Sequence, residues 1–170
     1  MSVRVLVGPP GAGCSAVGQA LDAAGQGPCL DLGQSVAQEL GAQPELALVA
    51  VGEERYRRAE TAVALRLLER LVRGGGVLAL GSGCLEDPQV RAALAALQAD
   101  GGQVVALLAS VRRLATRNGL DAPRSIALGT VHHSFTLMLR EREAACRELA
   151  DLVVDTTDTS PQEAAALILG

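Results

Sequence analysis

The chain has 170 residues, which favours a single domain because domains usually hold roughly 100–200 residues. Hydrophobic residues make up 49% and charged residues 20%, a balance that excludes a disordered chain. The net charge of −4 and the low aromatic content of 1% argue against a nucleic-acid-binding surface. No apolar run approaches the roughly 20 residues of a membrane span, and the four cysteines are scattered without a secretory leader. We therefore expect a soluble, cytoplasmic protein that binds neither nucleic acid nor membrane.

Short apolar runs alternate with longer amphipathic stretches along the whole sequence. The runs predict strands at 3–7, 29–31, 77–80, 104–108 and 152–155. The stretches predict helices from 15 onward and at 35–40, 53–72, 90–97, 111–116, 133–149 and 162–169. Residues 117–130 are expected to be irregular. Alternation of this kind predicts one α/β domain over 1–170, with a parallel sheet covered by helices on both faces.

A glycine-rich segment, GPPGAGCS from Gly8 to Ser15, connects the first predicted strand to the first helix. It fits the phosphate-binding pattern G-x-x-x-x-G-K-[ST] at every fixed position except the lysine. Glycines allow backbone N–H groups to surround a phosphate, and the helix N-terminus adds partial positive charge. The predicted nucleotide-binding residues here are Gly8, Gly11, Ala12, Gly13, Cys14 and Ser15. The alternative is a tight strand-to-helix turn that binds nothing.

Cys14 stands at the lysine position, and no lysine exists elsewhere because all 15 basic residues are arginines. A thiol at a helix N-terminus tends to have a lowered pKa, so one interpretation is a reactive, redox-sensing thiolate. The other is that Cys14 remains where a lysine became dispensable.

Further motifs follow the loop in a fixed order. They are Asp31-Leu32-Gly33 after the second strand, GEERYRRAE from Gly52, the strand end Gly81-Ser82-Gly83, and a C-terminal segment from Arg142 to Asp155. Together with the loop they resemble the shikimate kinases, a branch of the P-loop kinases, over nearly the whole chain. The resemblance implies a three-layer α/β/α fold with a five-stranded parallel sheet in the order 2-3-1-4-5. It also implies a lid at about 117–130.

By this resemblance Arg57 and Arg142 hold the carboxylate of shikimate, a task suited to the planar guanidinium fork. Asp31 and Ser15 would support Mg²⁺. The remaining substrate-binding positions are Gly33, Gly81, Ser82 and Gly83. For the arginines the alternative is an ion pair on a solvated helix face, and for the glycines a simple strand end.

ATP and Mg²⁺ are the cofactors that the resemblance implies. Arg117 matches an arginine that faces ATP, and Arg124 matches the catalytic arginine of the lid. Either arginine could replace part of the missing lysine by swinging towards the phosphates.

Two departures from the family pattern concern the chemistry itself. The loop lysine is Cys14, and the second acid of the Asp-x-Asp motif, which would position and deprotonate the attacking hydroxyl, is Gly33. Losing a preorganised charge costs roughly 10²–10³ in rate, and losing a general base costs roughly 10²–10⁴. A third departure, Ser82 in place of the middle glycine, adds a side chain to the substrate site.

The leading hypothesis is a catalytically deficient member of chorismate biosynthesis that binds nucleotide or a shikimate-like acid and regulates or scaffolds a protein partner. The alternative is a functional shikimate kinase that transfers the ATP γ-phosphate to the shikimate 3-hydroxyl. A third hypothesis is a kinase for another acidic substrate, because Gly33 and Ser82 change the floor of the pocket.

Overall fold

The computed structural model describes residues 2–120 and 126–170, with side chains for 2–120 and 133–170. Within this part, strands and helices alternate. The strands are β1 (Val3–Val7), β2 (Cys29–Asp31), β3 (Gly76–Ala79), β4 (Gln103–Leu108) and β5 (Leu152–Asp155). The helices are α1 (Cys14–Ala23), α2 (Leu32–Leu40), α3 (Ala47–Val51), α4 (Glu53–Gly74), α5 (Pro88–Ala99), α6 (Val111–Arg117), α7 (Ile126–Leu149) and α8 (Pro161–Leu169).

The five strands form one parallel sheet in the order β2-β3-β1-β4-β5, which confirms the fold class expected from the sequence. Central strand β1 pairs with β3 and β4, so that Val5 lies beside both Leu78 and Val104. Strands β1, β3 and β4 are mostly buried on both faces. Continuous apolar runs are typical of parallel strands for that reason.

Alternate residues of β1 point into two separate apolar cores, because successive strand side chains face opposite sides of the sheet. Val5 and Val7 pack with residues from α2, α4 and α5, whereas Leu6 packs with residues from α1, α6 and α8. The sheet is therefore the middle of three layers. Among the described helices, none combines the length and apolar character that crossing a bilayer requires.

Two features of the helices differ from the sequence expectation. The prediction that residues 117–130 are irregular is wrong for 126–130. Helix α7 begins at Ile126 and not near 133. The sequence also gave no indication of α3, a five-residue apolar helix between α2 and α4. Short apolar runs cannot be assigned to helix or strand by periodicity alone.

Helix α8 begins with a capping box that makes its stability depend on pH. Ser160 Oγ accepts a hydrogen bond from the backbone N–H of Glu163, and the Glu163 carboxylate accepts one from the backbone N–H of Ser160. The bond that the carboxylate accepts from the Ser160 backbone, and after it the nearby Ser160 hydroxyl, lower the pKa of Glu163. A carboxylate with a lowered folded-state pKa stabilises the fold above its unfolded pKa and loses that contribution as pH falls.

We therefore expect Glu163→Gln to lower the melting temperature at neutral pH by more than it does in acid. Below the folded pKa both chains carry a neutral group at this position, so their melting temperatures converge. Thermal unfolding between pH 3 and pH 7 measures the difference. An offset that stays constant over this range would contradict the expectation.

Candidate active site

The glycine-rich loop lies at the carboxyl end of the central strand, where ligands bind in open α/β sheets. It leaves β1 at Gly8 and enters α1 at Cys14. Gly13 precedes the helix with φ of 104°, a left-handed conformation that favours glycine. The N-terminal N–H groups of α1 have no intrahelical partners and face the loop. The backbone N–H of Gly8 also donates to the carbonyl of Gly81 at 3.3 Å, which ties the loop to the end of β3.

Ser15 and Asp31 join the loop to the end of β2. The Ser15 hydroxyl donates a hydrogen bond to Asp31 Oδ2, and Asp31 Oδ1 accepts one from the backbone N–H of Gln34 at 3.0 Å. The second bond caps α2 and fixes the orientation of the carboxylate. Hydroxyl and carboxylate oxygens are ligands that Mg²⁺ prefers, so these two side chains fit a magnesium ion beside the loop.

A pair of arginines faces the loop from the other side of the cleft. Arg57, on α4, donates to Glu60 Oε1 at 2.9 Å, and its guanidinium lies 5.5 Å from the centroid of the Tyr56 ring. Glu60 is only 7% exposed, so this pair is not the solvated surface contact that helix spacing alone would suggest. Arg142, on α7, donates to Ser82 Oγ at 3.2 Å.

The two guanidinium groups influence each other. Burial, and after it the nearby charge of Arg57, lowers the pKa of Arg142 below its usual value. Glu60 supplies one negative charge for two positive ones. Planar guanidinium groups match a carboxylate in geometry as well as in charge, so this side of the cleft suits a small organic acid.

A cleft of about 850 Å³ brings most of the predicted residues together. Its lining includes Gly8, Gly13, Cys14, Ser15, Asp31, Gly33, Arg57, Gly81, Ser82, Gly83 and Arg142. Gly11, Ala12 and Arg117 instead line a second cavity of about 260 Å³ on the other side of the loop. Arg124 lies outside the described residues, so its role stays a prediction.

Arg117 is held against the backbone. It donates to the carbonyl oxygen of Gly11 at 3.0 Å and to that of Thr156 at 2.5 Å. The Thr156 hydroxyl donates in turn to the carbonyl of Ala12 at 2.7 Å. The guanidinium therefore supports the loop from outside the cleft, and it replaces no part of the missing lysine in this arrangement.

The Cys14 thiol points inward from the loop. Its sulfur lies 3.2 Å from the position that a Cβ on Gly8 would occupy. Burial raises the pKa of Cys14 to about 12, and the neighbouring Cys146 and Asp31 add to the rise while the backbone of Gly81 acts the other way. This rise disfavours a reactive thiolate at Cys14, because desolvation of the thiol outweighs the effect of the helix N-terminus.

Gly33 leaves an open space where the family has its second acid. An added Cβ would meet only Asp31 Oδ1, at 3.5 Å, which is an ordinary contact. The backbone at Gly33 also lies outside the left-handed region that favours glycine. A side chain is thus absent here for no steric reason.

Sequence reasoning missed several residues of the cleft. Glu60 lies in the GEERYRRAE motif, three residues after Arg57, and this helical spacing could have identified it as the partner of that arginine. Glu45, Leu48, Asn118 and Met138 also line the cleft. No motif marks these four, because the folded chain alone brings them to the site.

Close packing explains the glycine at position 83. A Cβ there would lie 2.4 Å from Arg57 Nη1 and 2.7 Å from both carboxylate oxygens of Glu60. We therefore expect Gly83→Ala to separate this ion pair and to weaken acid binding by at least about tenfold. Calorimetric titration with a small carboxylic acid that binds the cleft measures the loss, and Gly33→Ala, where space is open, is the matched control. Equal affinities for the two variants would contradict this account.

The sheet order, and a glycine-rich loop leading from the central strand into a helix beside paired arginines, define a P-loop kinase fold. Residues 10–170 match the family model described as shikimate kinase. The chain therefore belongs to the shikimate kinase family.

Individual proteins that are similar to this chain also carry the name shikimate kinase. A shikimate kinase of Thermobifida fusca is 37% identical over 166 residues, which cover 98% of this chain and 92% of that protein. One from Thioalkalivibrio sulfidiphilus is 36% identical over 154 residues, covering 89% and 77%. The solved structure of an Acinetobacter baumannii shikimate kinase in complex with shikimate has a TM-score of 0.78 at 24% identity. The superposition covers 99% of this chain and 92% of the Acinetobacter chain, and it supports the assignment of the fold.

Proposed function

We propose that the cleft binds shikimate and Mg²⁺-ATP, and that phosphoryl transfer is much slower than in a family member with a complete catalytic set. The observation that carries this proposal is the pairing of an intact acid-binding side with an incomplete phosphate-binding side. On the acid-binding side, Arg57 pairs with Glu60, Arg142 donates to Ser82, and all of these residues line the cleft. On the phosphate-binding side, Cys14 supplies no cation and Gly33 supplies no carboxylate.

Each side of the cleft has a definite task in this proposal. The two guanidinium groups bind and orient the substrate carboxylate, which directs the ring and its hydroxyl groups towards the loop. The loop N–H groups and the N-terminus of α1 bind phosphate oxygens. Ser15 and Asp31 would hold Mg²⁺, which neutralises phosphate charge when bound.

The missing groups limit the chemical step. Transfer of a phosphoryl group depends on positioning and on stabilising the charge of the transferred group. Losing one such stabiliser costs roughly 10²–10³ in rate, and losing the base costs roughly 10²–10⁴. The two factors need not multiply, because groups that act as a unit are not additive.

Shikimate-dependent release of ADP, measured beside calorimetric titration with shikimate, tests both parts of the proposal. We expect binding together with turnover below the range of roughly 1–100 s⁻¹ that is typical of kinases. Turnover within that range would contradict the deficiency. Absence of shikimate binding would contradict the substrate, and a screen of other carboxylated polyols for thermal stabilisation would then test a different acid.

A deficient enzyme that still binds pathway ligands could regulate or scaffold a protein partner of aromatic biosynthesis in the cytoplasm. This part of the proposal requires only that the protein binds the ligand, and it does not require catalysis. Co-purification of a second pathway enzyme that depends on shikimate would support it.

The second candidate is a functional shikimate kinase, which the named relatives and one side chain favour. Glu45 is an exposed carboxylate on the wall of the same cleft, and it has no hydrogen-bond or ion-pair partner among the described residues. The other carboxylates of the cleft are engaged, Asp31 by Ser15 and Glu60 by Arg57. An unengaged carboxylate could act on the acceptor hydroxyl in place of the acid absent at Gly33.

If the protein is a functional kinase of this kind, Glu45→Gln lowers kcat by about 10²-fold with little change in KM. Steady-state ADP release measures both constants. The matched control is Glu39→Gln, which changes an exposed carboxylate paired with Arg66 on the outer side of α2. A kcat equal to that of the control would exclude Glu45 from the chemistry.

A further inference from the structure

Ser82 lies in the turn that follows β3, at a position where the family pattern has glycine, and its side chain is part of the cleft. The residue is 9% exposed and lies between the loop-bonded Gly81 and the tightly packed Gly83. A hydroxyl in such a place needs a hydrogen-bond partner, because an unsatisfied buried polar group is costly. Arg142 is that partner.

The hydrogen bond joins two elements that are distant in sequence. Arg142 Nη1, on α7, donates to Ser82 Oγ at 3.2 Å across a separation of 60 residues. Among the described residues, Ser82 is the only hydrogen-bond partner of the Arg142 side chain. The nearby acid on the same helix, Glu143, is engaged elsewhere, because it pairs with Arg147 at 3.0 Å.

Burial and a neighbouring positive charge both act against the charged form of Arg142. Its guanidinium is half-buried and is repelled by Arg57, and the attraction of Glu60, which is paired with Arg57, offsets only part of this cost. Long arginine side chains tend to extend towards water when nothing retains them. The Ser82 hydroxyl opposes this tendency and keeps the guanidinium facing the cleft.

Ser82 also has a second hydrogen-bonding function available. A guanidinium only donates, so the serine oxygen accepts from Arg142 and the hydroxyl hydrogen is not used in that bond. That hydrogen is available to an oxygen of a ligand held between the arginines. A glycine at this position would offer neither the acceptor nor the donor.

We propose that Ser82 is a positioning and specificity residue of the acid-binding side of the cleft. It holds Arg142 in its binding orientation in the free protein, and it donates its own hydroxyl hydrogen to the ligand carboxylate. The acid is thus bound by three side chains: Arg57, Arg142 and Ser82. This inference rests on the proposed binding of shikimate.

The first test compares ligand affinities of Ser82→Ala and Ser82→Gly with those of the unchanged protein. Loss of a hydrogen bond to a charged group raises the dissociation constant of shikimate by about tenfold or more. The dissociation constant of Mg²⁺-ADP, measured in the same preparations, stays unchanged and shows that each variant is folded. In ADP release, KM for shikimate rises by a similar factor while kcat changes little, because Ser82 lies on the acid-binding side.

Unchanged or tighter shikimate binding by Ser82→Ala would overturn the proposal, since tighter binding would mean that serine competes with the ligand for Arg142. If the unchanged protein itself fails to bind shikimate, the proposed function fails instead. The positioning role of Ser82 can then be tested without ligand. A double-mutant cycle of Ser82→Ala and Arg142→Met, read from the midpoints of denaturant unfolding, measures the interaction between the two side chains. Equal effects of Ser82→Ala with and without Arg142 would overturn the positioning role.

Discussion

Joint replacement of Cys14 by lysine and Gly33 by aspartate raises the turnover of shikimate-dependent ADP release by at least about 10²-fold, if the two missing groups limit the chemistry. Cys14 lines the cleft, so a lysine there can extend towards the phosphates instead of packing inward as the thiol does. At Gly33 an aspartate meets no steric obstacle. The gain should appear in kcat, because both groups act on the transferred phosphoryl group or the attacking hydroxyl.

Two neutral variants separate charge from shape in this experiment. Cys14→Met adds length without a cation, and Gly33→Asn adds a side chain of aspartate shape without a base. We expect neither to raise turnover. Single variants Cys14→Lys and Gly33→Asp should each give part of the gain, with a combined effect that need not equal their product. No gain from the double variant would mean that these positions do not account for the rate.

The fold could be predicted from the sequence because its signals are local. Buried parallel strands such as β1 and β4 appear as uninterrupted apolar runs, and glycine-rich turns mark their ends. The strand order came from the family resemblance, since apolar runs alone do not say which strands are neighbours. Helix α7 begins seven residues before the predicted start at 133, because helix propensity and polarity are only weak guides to where a helix begins.

Side-chain directions in the site could not be predicted in the same way. The sequence placed Cys14 at a helix N-terminus, where the pKa of a thiol usually falls, but desolvation in the folded chain raises this pKa instead. Arg117 bonds to the carbonyl groups of Gly11 and Thr156, contacts that the sequence did not indicate, and its place facing ATP stays a prediction. Glu45 reaches the cleft only through the path of the chain between α2 and α3. Each of these facts depends on contacts between distant segments.

The ion pair of Arg57 and Glu60 leads to the largest expected loss of binding. Arg57→Ala removes one of two guanidinium groups and leaves Glu60, which is 7% exposed, without its positive partner. The remaining carboxylate then repels the carboxylate of the substrate. Truncating one member of such a charge pair costs about 2–5 kcal/mol, so we expect the dissociation constant of shikimate to rise by at least about 30-fold. Calorimetric titration measures it.

Arg58→Ala is the matched control, because Arg58 is the next residue on α4 and pairs with Glu54 on the exposed side of the helix. It should leave shikimate binding unchanged, since exposed ion pairs contribute little. Adding Glu60→Gln to Arg57→Ala removes the unpaired charge and should restore part of the affinity, although the guanidinium is still absent. If Arg57→Ala and Arg58→Ala bind shikimate equally well, Arg57 does not hold the carboxylate, and the proposed place of the acid between Arg57 and Arg142 is wrong.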